Sequence, residues 1–240
     1  PADASADPDG DGLTNKREYD GPFGFGQTNP QNPDTDGDGM PDGWESYWGL
    51  DPNDPTGVNG ADGNPDQVPV LFPNGDMRFN ITTGKPSIPF NNLREYGWFT
   101  ENGGSVTIEN IANLEDLSTS PFSADSDGDG LPDGWEVSYE LNPLSAEGDD
   151  GPTGNPDGDM YYGDTSGSPM AGLPVTPYRT IDEYNRWANA DPNSGSPDDI
   201  GSTHPLEEDT DGDAMPDGWE QSYGGTDTTG SGLPDDWNPD

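Results

Sequence analysis

The twelve residues 34–45, DTDGDGMPDGWE, return as DSDGDGLPDGWE at 125–136 and as DTDGDAMPDGWE at 209–220. A related form, DPDGDGLTNKREY, occupies residues 7–19. Two further copies of it are interrupted. Asp62, Asn64 and Asp66 open one that resumes at Asn92-Leu93-Arg94-Glu95-Tyr96, and Asn155, Asp157 and Asp159 open one that resumes at Thr180-Ile181-Asp182-Glu183-Tyr184. The tyrosine form and the tryptophan form thus alternate, and a weakened further copy, DTTGSGLPDDWN, follows at 227–238. A repeat that places an acid at every second position cannot bury itself as an ordinary core does, because an unpaired charge is very costly to take out of water.

Composition leads to the same constraint. The chain has 240 residues, 49 acidic against 7 basic, a net charge of −42, and only 26% hydrophobic residues. Such a chain falls in the disordered class on composition alone. A large hydrophobic core is excluded, since too little apolar surface is present to offset chain entropy. Cysteine is absent, so disulfides cannot order the chain. So few basic residues cannot neutralise a row of phosphates, which argues against nucleic acid as a partner. No apolar run approaches the roughly 18 residues of a membrane span. The first residue is Pro1 instead of Met, which leads us to expect a start made by processing.

The spacing indicates what could order it. In the unbroken copies, oxygen side chains fall at the first, third, fifth, ninth and twelfth positions. Glycine usually holds the sixth, and the seventh offers its carbonyl. This is the ligand pattern of a calcium loop: alternate carboxylates turn inward and a twelfth-position glutamate reaches back from the exit helix. The expected ligands are Asp7, Asp9, Asp11, the Leu13 carbonyl, Asn15 and Glu18; Asp34, Asp36, Asp38, the Met40 carbonyl, Asp42 and Glu45; Asp125, Asp127, Asp129, the Leu131 carbonyl, Asp133 and Glu136; and Asp209, Asp211, Asp213, the Met215 carbonyl, Asp217 and Glu220. The interrupted copies supply Asp62, Asn64, Asp66, Asn92 and Glu95, and Asn155, Asp157, Asp159, Thr180 and Glu183. About six calcium sites follow, seven if the weakened copy binds. Zinc is disfavoured, since the chain has one histidine and no cysteine. Ala214, where siblings have glycine, should strain the loop opened by Asp209.

These loops resemble the thrombospondin type 3 repeat in its bacterial surface-protein version, through the wording DGLPDGWE and DGLTNKREY. The resemblance implies an extracellular protein wrapped around a series of calcium ions, and it implies no catalytic activity.

The fold expected is a mainly irregular calcium-loop repeat array with short helices and small β inserts, and no large hydrophobic core. Repeat pairs divide it at 1–60, 61–150 and 151–240. Thr14 and Asn91 are candidate N-caps. Trp44 and Trp48, Trp135 and Tyr139, and Trp219 and Tyr223 share helix faces at i, i+4 and should build small aromatic cores. Among the inserts, 68–90 should form a hairpin around Asn74-Gly75, 105–117 a strand, and 160–178 irregular chain. His204 is expected on the surface and no nucleophile motif is present, so no enzyme is expected. The expected function is structural: a surface or matrix component rigidified by calcium, assembling head-to-tail as a homo-oligomer or filament. The alternative is a calcium-dependent module that binds glycan or a cell surface. Asn80, in the sequon Asn80-Ile81-Thr82, is a candidate glycosylation site, with Ser118, Thr119, Ser120 and Thr176 as O-linked candidates.

Overall fold

In the computed structural model of the chain, the described residues are 3–66, 76–81, 84–162, 174–188, 203–210 and 216–223. The elements are short, as the repeat dictates. Helices α1 (Asn15–Asp20), α2 (Asp42–Trp48), α3 (Asn92–Glu101), α4 (Asp133–Ser138), α5 (Thr180–Ala188) and α6 (Asp217–Tyr223) each begin at the ninth position of a copy. Among the described residues, the acidic half of each copy is loop, and the helix starts where the alternation stops. Thr14 caps α1 by accepting from the Arg17 amide, and Asn91 caps α3 by accepting from the Arg94 amide.

The chain divides into two compact units. The first comprises Pro1–Met77, Pro89–Ser126 and Pro132–Gly134; the second comprises Arg78–Ile88, Asp127–Leu131 and Trp135–Asp240. The core of the first unit joins Leu13, Met40, Trp44, Leu50, Phe99, Val106, Ile111 and Leu114, with Tyr47, Trp48 and Tyr96 partly buried against it. Leu13 and Met40 hold the seventh loop position, so the residue that ends a loop also plugs the core. Trp44 packs against Tyr96 in a tilted arrangement, 5.5 Å between ring centroids, and its Nε1 donates to Ser118 Oγ at 3.2 Å. The second unit repeats this contact, with Trp135 at 5.5 Å from Tyr184 and 5.0 Å from Tyr139. Aromatic rings supply the area that the scarce aliphatics cannot.

The inserts depart in part from expectation. Strands β1 (Met77–Asn80) and β2 (Lys85–Pro89) pair in a two-stranded sheet, so the strands lie after Asn74-Gly75 and not on either side of it; Asn74-Gly75 itself falls outside the described residues. Asn80 is exposed at the end of β1. Residues 105–117 form no strand: Asn110 is tied to Thr107 and Ser105, and a 3-10 helix runs over Ile111–Asp116, putting Ile111 and Leu114 into the core. In the third insert, expected to be irregular, β3 (Met160–Tyr162) pairs antiparallel with β4 (Pro174–Pro177). His204 is half-buried and packs edge-on against Tyr139 at 4.9 Å. Ser118 and Thr119 are buried, which removes them as O-linked sites. Ala214 and the weakened copy at 227–238 lie outside the described residues.

The glycine of each DGW triplet lets a helix start touch a neighbouring loop. A Cβ on Gly43 would overlap the Asp11 carbonyl; one on Gly134 would sit 2.6 Å from Asp76 Oδ1 and from the Met77 carbonyl; one on Gly218 would sit 2.6 Å from the Met160 carbonyl. Gly43→Ala should therefore cost about 1–3 kcal/mol through overpacking. Gly97→Ala, on an α3 position with open space, should be neutral or stabilising. Thermal melts of both variants check this, and equal melts would contradict the close approach.

Candidate metal sites

The loop backbone is shaped by its own carboxylates. Asp7 accepts from the amides of Gly10 (2.7 Å) and Gly12 (3.0 Å), and Asp34 accepts from Gly37 (2.6 Å) and Gly39 (2.9 Å). Asp11 accepts from the Leu13 amide at 2.7 Å and Asp38 from the Met40 amide at 3.0 Å. The first and fifth positions thus curl the loop; at the third, Asp36 and Asp127 each accept from the fifth-position amide through one oxygen and keep the other buried without a partner, as Asp9 keeps both. Ligand atoms of Asp7, Asp9 and Asp11 come within 4.8 Å of one another, as do those of Asp34, Asp36 and Asp38, and of Asp125, Asp127 and Asp129.

The twelfth-position glutamates are buried behind these loops. Glu18, Glu45, Glu136 and Glu183 are fully inaccessible, and neither oxygen of Glu45 has a hydrogen-bond partner. Asp11 Oδ2, Glu18 Oε2, Asp36 Oδ2 and Asp38 Oδ2 are likewise buried without a partner. Burial pushes Glu45 up to about 10, helped by Asp38 and Asp36; it pushes Asp11 to about 8 and Glu18 to about 7. Buried oxygens with neither donor nor cation beside them fit a hard divalent ion.

The ninth-position aspartates take a different place from the one expected. Asp42 accepts from the Thr35 amide and hydroxyl, both at 2.7 Å; Asp133 is held by Ser126 at 2.8 and 2.6 Å, and Asp217 by Thr210 at 3.1 and 2.6 Å. Asp42 then groups with Asp11 and Glu18 of the preceding loop instead of with Asp34, Asp36 and Asp38. Asn15, the ninth residue of its loop, turns its amide to the Asp3 carbonyl at 2.7 Å.

In the interrupted copies one expected ligand is displaced. Asp62 is exposed and joins no cluster; Asp66 and Glu95 instead meet Asp76, which the sequence reading omitted. Asn92 donates to the carbonyls of Val58 (3.0 Å) and Gly60 (2.9 Å), leaving its oxygen buried and unpartnered. In the second unit, Gly158 donates to Asn155 Oδ1 at 3.2 Å, and Asp157, Asp159, Thr180 and Glu183 each keep an unpartnered buried oxygen. Burial raises Glu183 to about 10, Asp159 to about 8 and Asp157 to about 6; repulsion from Asp157 adds for Glu183 and Asp159, and repulsion from Glu208 adds for Asp157. At the last tryptophan-form copy, Asp209 is half-buried and Asp217 buried, whereas Asp211, Asp213, Met215 and the Glu220 side chain lie outside the described residues.

A second omission has a legible signal. Thr28-Asn29-Pro30, Thr119-Ser120-Pro121 and Thr203-His204-Pro205 stand at one spacing before Asp34, Asp125 and Asp209. Thr28 donates to Glu18 Oε1 at 3.2 Å and Thr203 to Glu183 Oε1 at 3.4 Å, while Thr119 lies buried beside Glu95 without a formed hydrogen bond. The next amide, of Asn29, Ser120 or His204, donates to Thr35, Ser126 or Thr210, the residues that hold the ninth-position aspartates. A Thr-x-Pro strut therefore connects the glutamate of one loop to the start of the next.

The family model of the bacterial TSP3 repeat matches residues 7–19, 34–55 and 125–146. The chain carries bacterial TSP3 repeats. No curated protein and no solved structure matches the chain. The matched segments are the unbroken copies whose carboxylates cluster. The TSP3 segments begin at Asp7, Asp34 and Asp125, the first residue of each acidic alternation.

In the metal-free chain, Glu18, Asp11 and Glu45 hold protons more tightly than in the unfolded chain. Their favourable contribution is complete below the unfolded carboxylate range near pH ~4 and is lost as pH rises through about 7, 8 and 10. Chelated protein should melt at a lower temperature at pH 8 than at pH 5. Saturating calcium should reverse that order, because cation and protons compete for the same oxygens. Melts at the two pH values with and without chelator measure this, and a pH-independent chelated melt would contradict it.

Proposed function

We propose that this protein is an extracellular, calcium-binding structural repeat protein in which bound calcium takes the place of a large core. The observation that carries the reading is Glu45: a fully buried carboxylate with no hydrogen-bond partner, repelled by Asp38, Asp36, Asp42 and Asp34. When bound, calcium supplies positive charge and six to eight oxygen-binding positions. Asp7, Asp9, Asp11 and Glu18 would hold one ion, Asp34, Asp36, Asp38 and Glu45 another, and Asp125, Asp127, Asp129 and Glu136 a third. Asp157, Asp159, Thr180 and Glu183 would form a further site, and the copy opened by Asp209 another. The pairs 1–60, 61–150 and 151–240 are the units of this reading. The family match and the acid clusters support it, and extracellular calcium is abundant enough to keep such modules filled. No helix of the described residues is long and apolar enough to cross a membrane.

The structural reading is favoured over a glycan-binding module because Phe79, Phe90 and Tyr178, the described insert aromatics with assigned burial, face inward. We assign no catalytic role, since the buried acids belong to the repeat frame. Self-assembly extends the same reading. Trp44 and Trp135 pack at a steep ring angle against Tyr96 and Tyr184, whereas the equivalent Tyr19 is 71% exposed, and a tryptophan-form helix of a second copy would cover it. Such a contact joins unlike surfaces and can propagate.

At pH 8, where protons no longer neutralise the buried carboxylates, calcium removal should convert the chain to an expanded, largely unfolded state, read by circular dichroism and hydrodynamic radius; a compact chelated state at that pH would refute the reading. Sedimentation in millimolar calcium should show assemblies of the wild-type chain that Tyr19→Ala disperses. A wild-type chain that stays monomeric would refute self-assembly alone.

A further inference from the structure

The second tyrosine-form copy is interrupted twice, and its backbone fixes the register. In the unbroken copy, the Asn15 amide donates to the carbonyl of Ala6, the residue before the loop, at 2.8 Å. Its counterparts are Thr180 to Gly154 at 3.0 Å and Asn92 to Gly63 at 2.8 Å. Gly63 therefore stands before the loop, and Asn64 is its first residue. Asn64 Nδ2 donates to the Asp76 carbonyl at 3.4 Å, as Asn155 Nδ2 does to the Asp159 carbonyl at 2.8 Å. The Phe90 amide donates to the Asp76 carbonyl at 3.1 Å, as the Tyr178 amide does to Asp159 at 3.3 Å. Lastly, Gly134 donates to Asp76 Oδ1 at 2.7 Å and Gly218 to Asp159 Oδ2 at 2.8 Å. Each relation makes Asp76 the equivalent of Asp159, the fifth loop residue. One insert then follows Asp66 and a second, the β1–β2 hairpin, follows Met77.

We propose that Asn64, Asp66, Asp76 and Glu95 form a divalent-cation site assembled from three separate chain segments, with Asp76 as the fifth-position ligand and Asp62 outside it. This rests on the calcium-binding reading above and deepens it, at a place the family match does not cover. Ligand atoms of Asp66, Asp76 and Glu95 lie within 4.8 Å of one another. Independently of that clustering, Glu95 is 1% exposed and Asp66 4%, and neither oxygen of either carboxylate has a hydrogen-bond partner. Asn64 Oδ1, Asn92 Oδ1 and Asp76 Oδ2 are buried and unpartnered as well. Three acids and two amide oxygens, with no nitrogen or sulfur ligand, suit calcium and not zinc. Asp76 divides its oxygens: Oδ1 holds the amide of Gly134 in the first turn of α4, while Oδ2 is left for the ion. The same ion would thus close two inserts and fix the start of a helix distant in sequence.

The test uses the full chain with calcium itself. Native mass spectrometry and calorimetric titration compare wild type, Asp76→Asn and Asp62→Asn. Asparagine at 76 keeps the Oδ1 acceptor for Gly134 and replaces the ligand oxygen Oδ2 with an amide NH2, so that both the charge and one metal-binding oxygen are removed. Asp76→Asn should weaken one ion on the order of tenfold, since affinity follows ligand charge; Asp62→Asn should titrate as wild type. Loss of an ion in Asp62→Asn, or an unchanged Asp76→Asn, would overturn this site while leaving the calcium reading intact. A wild-type chain that binds no calcium would overturn both. Terbium anomalous scattering from wild-type crystals gives an answer that needs no variant: a peak between Asp66, Asp76 and Glu95 supports the site, and a peak at Asp62 with none there rejects it.

Discussion

Carboxylates held close together in a protein interior repel one another, and their burial strips away the water that would screen them. Nearly every feature of this chain depends on how that repulsion is relieved. Asp11, Glu18 and Asp42 lie together and are all buried, as are Asp66, Asp76 and Glu95. Backbone amides answer part of the charge: Leu13, Met40 and Gly134 each donate to one aspartate oxygen. Hydroxyls answer another part, from Thr28, Thr35 and Ser126. The oxygens that remain define where positive charge must enter, and the small aromatic cores close only around loops already drawn in.

The loops and helices were legible in the sequence because their determinants are local. Alternating acids, a turn glycine and a capping residue act within a dozen positions, so α1, α2 and α4 begin where the alternation ends. The buried tryptophans were legible for the same reason, since i, i+4 aromatics on a short helix must meet something. The inserts were less so. Ser105-Val106-Thr107-Ile108 alternates like a strand, yet it pairs with no strand among the described residues; Val106 enters the core from irregular chain, and Ile111 and Leu114 follow from a 3-10 helix. Alternation signals a strand only where a second strand is present to pair with it.

Asp76 was hidden for a different reason. Asp62, Asn64 and Asp66 have the right spacing, and a reading by spacing alone stops there. The correct register is written in two repeated fragments, Gly63-Asn64-Pro65-Asp66 with Gly154-Asn155-Pro156-Asp157, and Gly75-Asp76-Met77 with Gly158-Asp159-Met160. The Thr-x-Pro strut was overlooked because threonine is no metal ligand in the twelve-residue pattern. Its importance is visible only once Glu18 and Thr35 are seen at opposite ends of it.

The hairpin of β1 and β2 leaves its loop after Met77 and returns at Phe90, between neighbours that are joined directly, as Gly12 to Leu13, in the unbroken copy. The bond from the Phe90 amide to the Asp76 carbonyl seals the exit behind it. A loop sealed in this way is insensitive to what is threaded through the gap, because the geometry at the ring is set by residues on either side. The sixth-to-seventh junction is therefore a splice point. Foreign segments could be grafted there in any of the tyrosine-form copies, so that one scaffold displays several unrelated peptides.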